Sequence, residues 1–261
     1  MSTSKSEGTG EGKSKILKVL QVSDCHVAAN PAADYRSQNA DRNLGSILSA
    51  AQDWHPDLVL ATGDISEDAS PESYARVATL LGTLGAPILA LPGNHDDPAV
   101  MCRFFPEGPW DGPYLKKKGR WSLVLLNSTA PGKISGSFSQ TGLLQLDKQL
   151  QRDDGDFALV ALHHQPVPVN AHWIDRYGLE DPEPFLEVID RNQKVRCIAW
   201  GHVHHDFQAK REDVVLLGAP SSVANSLPGT QRFSLDSAGP ACRWLELGPN
   251  GIVETGLIRP A

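Results

Sequence analysis

The sequence predicts an α/β chain whose two β-α halves stack their sheets face to face with helices outside, a four-layer αββα sandwich of two mixed β-sheets. Apolar runs at residues 16–22, 58–61, 88–91, 158–162 and 197–200 are short, β-rich and unalternated, as strands buried on both faces should be. Stretches with helical spacing separate them, giving β-α-β-α order through the first hundred residues. Each apolar run is followed directly by a polar cluster: Asp24-Cys25-His26, Gly63-Asp64, Gly93-Asn94-His95-Asp96, His163-His164 and Gly201-His202-Val203-His204. In open α/β sheets functional groups gather beyond the carboxyl ends of the strands, so these clusters can converge on one crevice. Metal binding gives buried strands a reason to end in such groups, because Asp, His and Asn are the oxygen and nitrogen ligands that first-row divalent metals prefer.

After the first strand and its polar loop, a helix is expected over residues 41–54, with Leu44, Ile47, Leu48 and Ala51 as its apolar stripe. Another begins at Ser70-Pro71-Glu72, where Ser caps and Pro suits the first turn; it turns Tyr74, Val77, Leu80 and Leu81 inward and is closed by Gly85. A short helix over 99–105 leads into a turn-rich link, 106–113. A strand at 121–126, a helix at 142–150 and the strand before His163 open the second half, and a helix introduced by Asp181-Pro182-Glu183 precedes the strand that delivers His202. Hairpin-like strands follow at 207–210, 214–217, 242–247 and 252–258, with Pro249-Asn250-Gly251 as a turn.

Length and composition bound the function. A chain of 261 residues, 40% of them hydrophobic, buries a substantial core, and we read residues 15–261 as one domain behind a disordered tail, 1–14, of Ser, Gly, Lys, Glu and Thr. The net charge of −7 argues against a surface that holds long nucleic acid through its phosphates, and the basic run Lys116-Lys117-Lys118 reads as a solvated turn. No stretch approaches the roughly 20 apolar residues of a membrane span, and the start lacks the apolar core of a secretory signal, so a cytoplasmic protein without a membrane partner is expected. Cys25, Cys102, Cys197 and Cys242 show no CxxC spacing, which fits reduced thiols and not a thiolate metal site.

Asp24 and His26 stand two apart, on one side of an extended backbone, with the free position Cys25 turned away into packing. The Asp64 carboxylate has two oxygens and can bridge two ions, and Gly63 before it lets backbone and metals approach. Asn94 offers a neutral carbonyl oxygen, and His95 beside it is placed to contact substrate. His163 lies nearer its strand than His164 and is the expected ligand of that pair, while His202 and His204 share a side and reach different ions. Asp96 either orients His95 or caps the helix near Pro98, with capping preferred. Arg36 and Asn39, on the polar loop after the first cluster, are in reach of the expected cleft mouth, where a solvated loop explains them equally well, and Asn127-Ser128 ends another strand near the same edge.

The string D-x-H, G-D, G-N-H-D, a strand ending in H, then G-H-x-H resembles the calcineurin-like metallophosphoesterase superfamily over residues 16–204. That family's fold, two packed sheets with helices on both outer faces, agrees with the order read above. The resemblance implies that Asp24, His26, Asp64 and His204 hold one divalent ion and Asp64, Asn94, His163 and His202 the other. It also implies that His26, Asp64, Asn94, His95 and His204 lie against the substrate phosphate. Within the superfamily the chain is most similar to the class III cyclic nucleotide phosphodiesterases of bacteria. Leu162 to Pro168, Trp173-Ile174-Asp175, Gly218 to Ser222, Phe233 to Asp236, Gly239-Pro240 and Arg243-Trp244 carry that narrower likeness. It implies hydrolysis of 3′,5′-cyclic AMP to 5′-AMP, lowering the intracellular cyclic nucleotide, with two ions drawn from Fe, Mn, Zn or Co and iron favoured.

In such a site two metals roughly 4 Å apart bind phosphate oxygens and acidify a bridging water, whose hydroxide is the nucleophile. His95 is the expected general acid for the departing 3′ oxygen, while His172 and Trp173 are candidates to face the base, with core packing the commoner role for a tryptophan such as Trp173. Rival readings are another small diester, a 2′,3′-cyclic nucleotide or glycerophosphodiester, and a non-catalytic scaffold, which the complete ligand set disfavours. Monomer and homodimer are both open.

Overall fold

The apolar strands in the computed structural model, which describes residues 15–260, are buried on both faces, their successive side chains entering two apolar environments. The expected 1–14 tail lies outside the described residues. The first half comprises β1 (Leu17–Val22), a two-residue hairpin β2 (Asp34–Tyr35) and β3 (Gln38–Asn39), α1 (Ala40–Ala51), β4 (Leu58–Thr62), α2 (Pro71–Gly82), β5 (Ile88–Leu91) and α3 (Pro98–Met101). The second comprises β6 (Tyr114–Lys118), β7 (Trp121–Leu125), α4 (Gln140–Arg152), β8 (Phe157–Ala161), α5 (His172–Asp175), α6 (Glu183–Arg191), β9 (Val195–Trp200), β10 (Phe207–Arg211), β11 (Val214–Gly218), β12 (Cys242–Leu247) and β13 (Val253–Ile258). No helix among the described residues is long and apolar enough to cross a membrane.

One sheet runs β13-β12-β1-β4-β5 and the other β10-β11-β9-β8-β7-β6. Both are mixed: β1, β4 and β5 are parallel in the first and β11, β9, β8 and β7 in the second, with antiparallel strands outside them. Leu17, Val19, Leu58, Leu60, Leu89 and Leu91 meet Trp121, Leu123, Leu159, Cys197 and Leu217 between the sheets. The alternate positions Leu20, Val22, Val59 and Ala61 face α1 and α2, while Val124, Val160, Ile198 and Trp200 face α4 and α6. Both faces of each sheet are thus covered, as an α/β chain with parallel strands requires. At the carboxyl end of β1 the inward position is polar: Gln21 Nε2 donates to Thr62 Oγ1 and, across the sandwich, to the Trp200 carbonyl, each at 3.1 Å.

The helix starts follow local chemistry. Asn39, Ser70, Asp97 and Ser139 cap α1, α2, α3 and α4, each accepting a hydrogen bond from a backbone N–H two or three residues on. α3 is shorter than expected and Asp97, not Asp96, is its cap. The run Lys116-Lys117-Lys118 is part of edge strand β6 and not a turn; Lys116 pairs with Glu107 and Lys117 with Asp154. Lysines there keep an open edge from recruiting another strand, which is why charge outweighed β pattern in the sequence. The last two strands pair antiparallel, as expected of a hairpin, and return to the first sheet, where β12 pairs with β1.

Candidate metal centre

The five polar clusters meet where β1, β4 and β5 of one sheet and β8 and β9 of the other end. Backbone bonds lace them together: Asp24 N–H donates to Gly63 O and His26 N–H to Asp64 O, each at 3.0 Å, and Gly201 N–H to His163 O at 3.2 Å. Asp24, His26, Asp64, His202 and His204 all have positive φ, between 42° and 68°. None is glycine, and such residues hold this conformation only where their surroundings over-determine it, typically at functional sites. This corrects the extended-backbone account of Asp24 and His26: the strand has ended, and left-handed turns, not β alternation, bring both to the site. Cys25 between them is fully buried, with its thiol pushed up to about 12 by burial, so it stays a neutral packing group.

Four imidazoles form two facing pairs. His163 directs Nδ1 to the Thr62 carbonyl (2.8 Å) and His202 directs Nε2 to the Tyr177 carbonyl (3.1 Å). Carbonyls only accept, so those nitrogens carry the hydrogens, and His163 Nε2 and His202 Nδ1 are left facing each other at 3.2 Å. His204 likewise donates from Nδ1 to Ala224 O (2.8 Å), and His26 places Nδ1 against Glu67 Oε2 (2.7 Å). Their Nε2 atoms face each other at 3.3 Å. Two bare nitrogens at such distances repel unless a cation or proton lies between them, and outer partners that fix the inward nitrogen are the arrangement of ligating histidines.

Carboxylates complete both pairs. Asp64 Oδ2 is 3.4 Å from His163 Nε2 and 3.8 Å from His26 Nε2, between the two pairs, and Asp24 Oδ1 is 3.2 Å from His204 Nε2. Asn94 adds a buried Oδ1 with no hydrogen-bond partner, an orphaned acceptor that a cation would satisfy. Ligand atoms of Asp24, His26 and His204, of Asp24, Asp64 and His163, and of His163, His164 and His202 lie within 4.8 Å of one another in each group. Burial disfavours charge here, yet the neighbouring histidines hold Asp24 below the usual carboxylate range and Asp64 well below it. Burial holds His26 and His202 below their ordinary values, so they are neutral. Burial opposes charge on His163 too, but Asp64 raises it to about 9, a sign of the negative field at this point between the pairs. Ionised Asp24 and Asp64 beside neutral His26 and His202 are the protonation states that metal binding needs.

His164 is turned out of this set. Its Nδ1 meets Ser128 Oγ and its Nε2 the Ile134 carbonyl, each at 2.9 Å, and burial lowers it to about 3. Ser128 also accepts from the His163 and His164 N–H groups, so it positions the pair, whereas Asn127 only closes its own turn onto Thr129. Asp96 neither caps a helix nor bonds the His95 ring; it accepts from the N–H groups of Gly93, Ile65 and Ser66 and ties two site loops together. Asn39 serves α1 as its cap, and His172 is exposed at the start of α5. Sequence reasoning missed Glu67, whose Oε2 lies 2.7 Å from His26 Nδ1 and 3.1 Å from His95 Nδ1. That bond, above all, raises His95 to about 9, leaving a protonated imidazole with 34% of its side chain exposed at the site mouth.

Gly93 must be glycine because an added Cβ would collide with the Asp64 backbone N–H and carboxylate and come within 2.8 Å of His163 Cε1. Gly93→Ala will lower the unfolding free energy by about 1 to 3 kcal/mol through overpacking and will lower bound metal per chain. Thermal melts with elemental analysis check this; an unchanged metal content would mean that the loop yields without moving Asp64.

A model of the calcineurin-like phosphoesterase family matches residues 17–206, which contain all of these groups. The chain is 35% identical to a 3′,5′-cyclic adenosine monophosphate phosphodiesterase, CpdA, of Pseudomonas aeruginosa, over 92% of this chain and 89% of that one. It is 31% identical to a 3′,5′-cyclic-nucleotide phosphodiesterase of Nostoc, covering 93% and 92%. Among solved structures, a dimetal phosphatase from Danio rerio superposes with a TM-score of 0.68 at 15% identity, covering 94% of this chain and 99% of that one, a likeness of fold. By the match of its strand-end clusters and the sandwich that gathers them, the chain belongs to the calcineurin-like phosphoesterase family.

Proposed function

We propose that this chain hydrolyses 3′,5′-cyclic AMP to 5′-AMP at a site for two divalent ions. The observation that carries it is the pair of facing imidazole couples with the Asp64 carboxylate between them. The substrate rests on relatives of similar length that bear this activity in their names. Asp24, His26, Asp64 and His204 would hold one ion and Asp64, Asn94, His163 and His202 the other. Bound there, two divalent ions supply Lewis acidity to the phosphate oxygens and make hydroxide available near neutral pH. These donors are nitrogen and oxygen without thiolate, a set that takes Fe, Mn, Co or Zn, and the family likeness favours iron.

His26, Asp64, Asn94, His95 and His204 form the face against which the phosphate rests. Hydrolysis joins a water oxygen to phosphorus and breaks the bond to O3′, which must leave with a proton. His95 holds that proton at the mouth, and Glu67 fixes its ring through Nδ1. Asp24, Asp64 and His163 form an inner wall that is itself buried from bulk water.

Metal-free protein reloaded separately with Fe, Mn, Co or Zn is to be assayed on 3′,5′-cyclic AMP, 2′,3′-cyclic AMP and methyl 4-nitrophenyl phosphate. We expect the highest kcat/KM on 3′,5′-cyclic AMP and no turnover without metal. Turnover of the nitrophenyl diester alone would overturn the cyclic AMP assignment, and preference for the 2′,3′ isomer would replace it.

A further inference from the structure

Beside the His26–His204 pair stands an aromatic bowl that no step above uses. Tyr35 stacks on His26 with centroids 3.8 Å apart and planes 4° from parallel. The rings of Trp173 and Phe233 approach His204 at 6.1 and 6.2 Å, edge to face, and each other at 5.3 Å. The Arg36 guanidinium covers the bowl, 3.8 Å from the Phe233 ring centroid, 5.3 Å from Tyr35 and 5.9 Å from Trp173. Three separate segments build it: the β2–β3 turn, α5, and a loop closed by a bridge between Ser226 and Leu235.

Several features mark this as more than packing. Arg36 is exposed and has no carboxylate partner among the described residues; its Nε donates to the Tyr35 hydroxyl at 3.1 Å and its guanidinium lies over the Phe233 ring. The turn that presents it has positive φ at both Arg36 (48°) and Ser37 (62°) without a glycine, a conformation that side chains resist. The Trp173 indole N–H is buried without an acceptor. Flat ring faces beside a phosphate site, topped by a planar cation, match what a nucleobase stacks on.

We propose that Tyr35, Arg36, Trp173 and Phe233 form the subsite for the nucleotide's base, an inference that rests on the cyclic nucleotide reading above. The base takes the Phe233 face on which the guanidinium now lies, and Arg36, carried on its strained turn, closes over the base from outside. The phosphate then lies against His26 and His204, so the bowl selects nucleotides over base-free phosphodiesters.

The test uses full-length, metal-loaded enzyme with methyl 4-nitrophenyl phosphate as the reporter reaction and 5′-AMP and ribose 5-phosphate as competing inhibitors. Wild type should bind 5′-AMP at least about 10-fold more tightly than ribose 5-phosphate, the worth of one base stack. Phe233→Leu keeps apolar volume without a ring face; it should bring the two inhibitors within about 2-fold while the reporter kcat is retained. Arg36→Ala, on an exposed turn, should shrink the preference in the same direction and decides the matter if the Phe233 variant does not fold. Equal inhibition of wild type by both compounds, or a preference that neither variant moves, overturns the subsite. A wild type that prefers 5′-AMP yet fails to hydrolyse cyclic AMP leaves the subsite standing and overturns the substrate assignment instead.

Discussion

Asp64→Ala will purify without its metals and lose about 10³-fold or more in kcat/KM on cyclic AMP, the largest effect we expect from a single substitution. The Lewis-acid contribution of bound ions is several kcal/mol, and each 1.36 kcal/mol is tenfold in rate. Asp64 lies between the two imidazole pairs, 3.4 Å from one and 3.8 Å from the other, so its loss weakens both positions at once. Its other oxygen accepts the His95 N–H at 2.9 Å, so the loop that carries the proposed acid loosens as well. Elemental analysis and steady-state kinetics check this. A variant that keeps both ions and full turnover would sink the bridging role.

His95→Ala separates binding from proton delivery. His95 touches Glu67 and the edge of the His26 ring but is not one of the facing imidazoles, so metal content should stay at the wild-type level. Turnover of cyclic AMP should fall by about 10² to 10⁴, the usual worth of a general acid. The loss on methyl 4-nitrophenyl phosphate should be much smaller, because nitrophenolate leaves without a proton. Equal losses on both substrates would remove the acid role and leave His95 as a phosphate contact.

The strand ends were legible because the chemistry requires it: oxygen and nitrogen groups directly after buried strands have few other uses, and the β-α order brings those ends to one edge. Asn94 was legible for the same reason. Glu67 was not, since an acidic residue in a polar loop looks solvated until folding brings His26, 41 positions earlier, onto its carboxylate. Asp96 and Asp97 are neighbours with equal capping chemistry, and only the path of the loop gives the cap to one and three backbone N–H groups to the other. The β2–β3 hairpin has two-residue strands and no glycine in its turn, so neither alternation nor turn composition announces it. Backbone handedness at Asp24, His26 and Asp64 leaves no sequence mark either, because those residue types were explained by what they bind and not by how they turn.

The laced strand ends have a consequence for how the protein matures. His26 and His204 meet although 178 positions separate them, and Asp64 waits for His163 from the opposite sheet. A chain emerging from its amino end therefore presents Asp24, His26 and Asp64 before His163, His202 and His204 exist to face them. The full donor set assembles only once the ends of β8 and β9 have met those of β1 and β4, so metal occupancy is expected to report on that docking. Since an ion bound to the native state alone adds to its stability, loading and durability rise together, and an unfinished molecule is denied both.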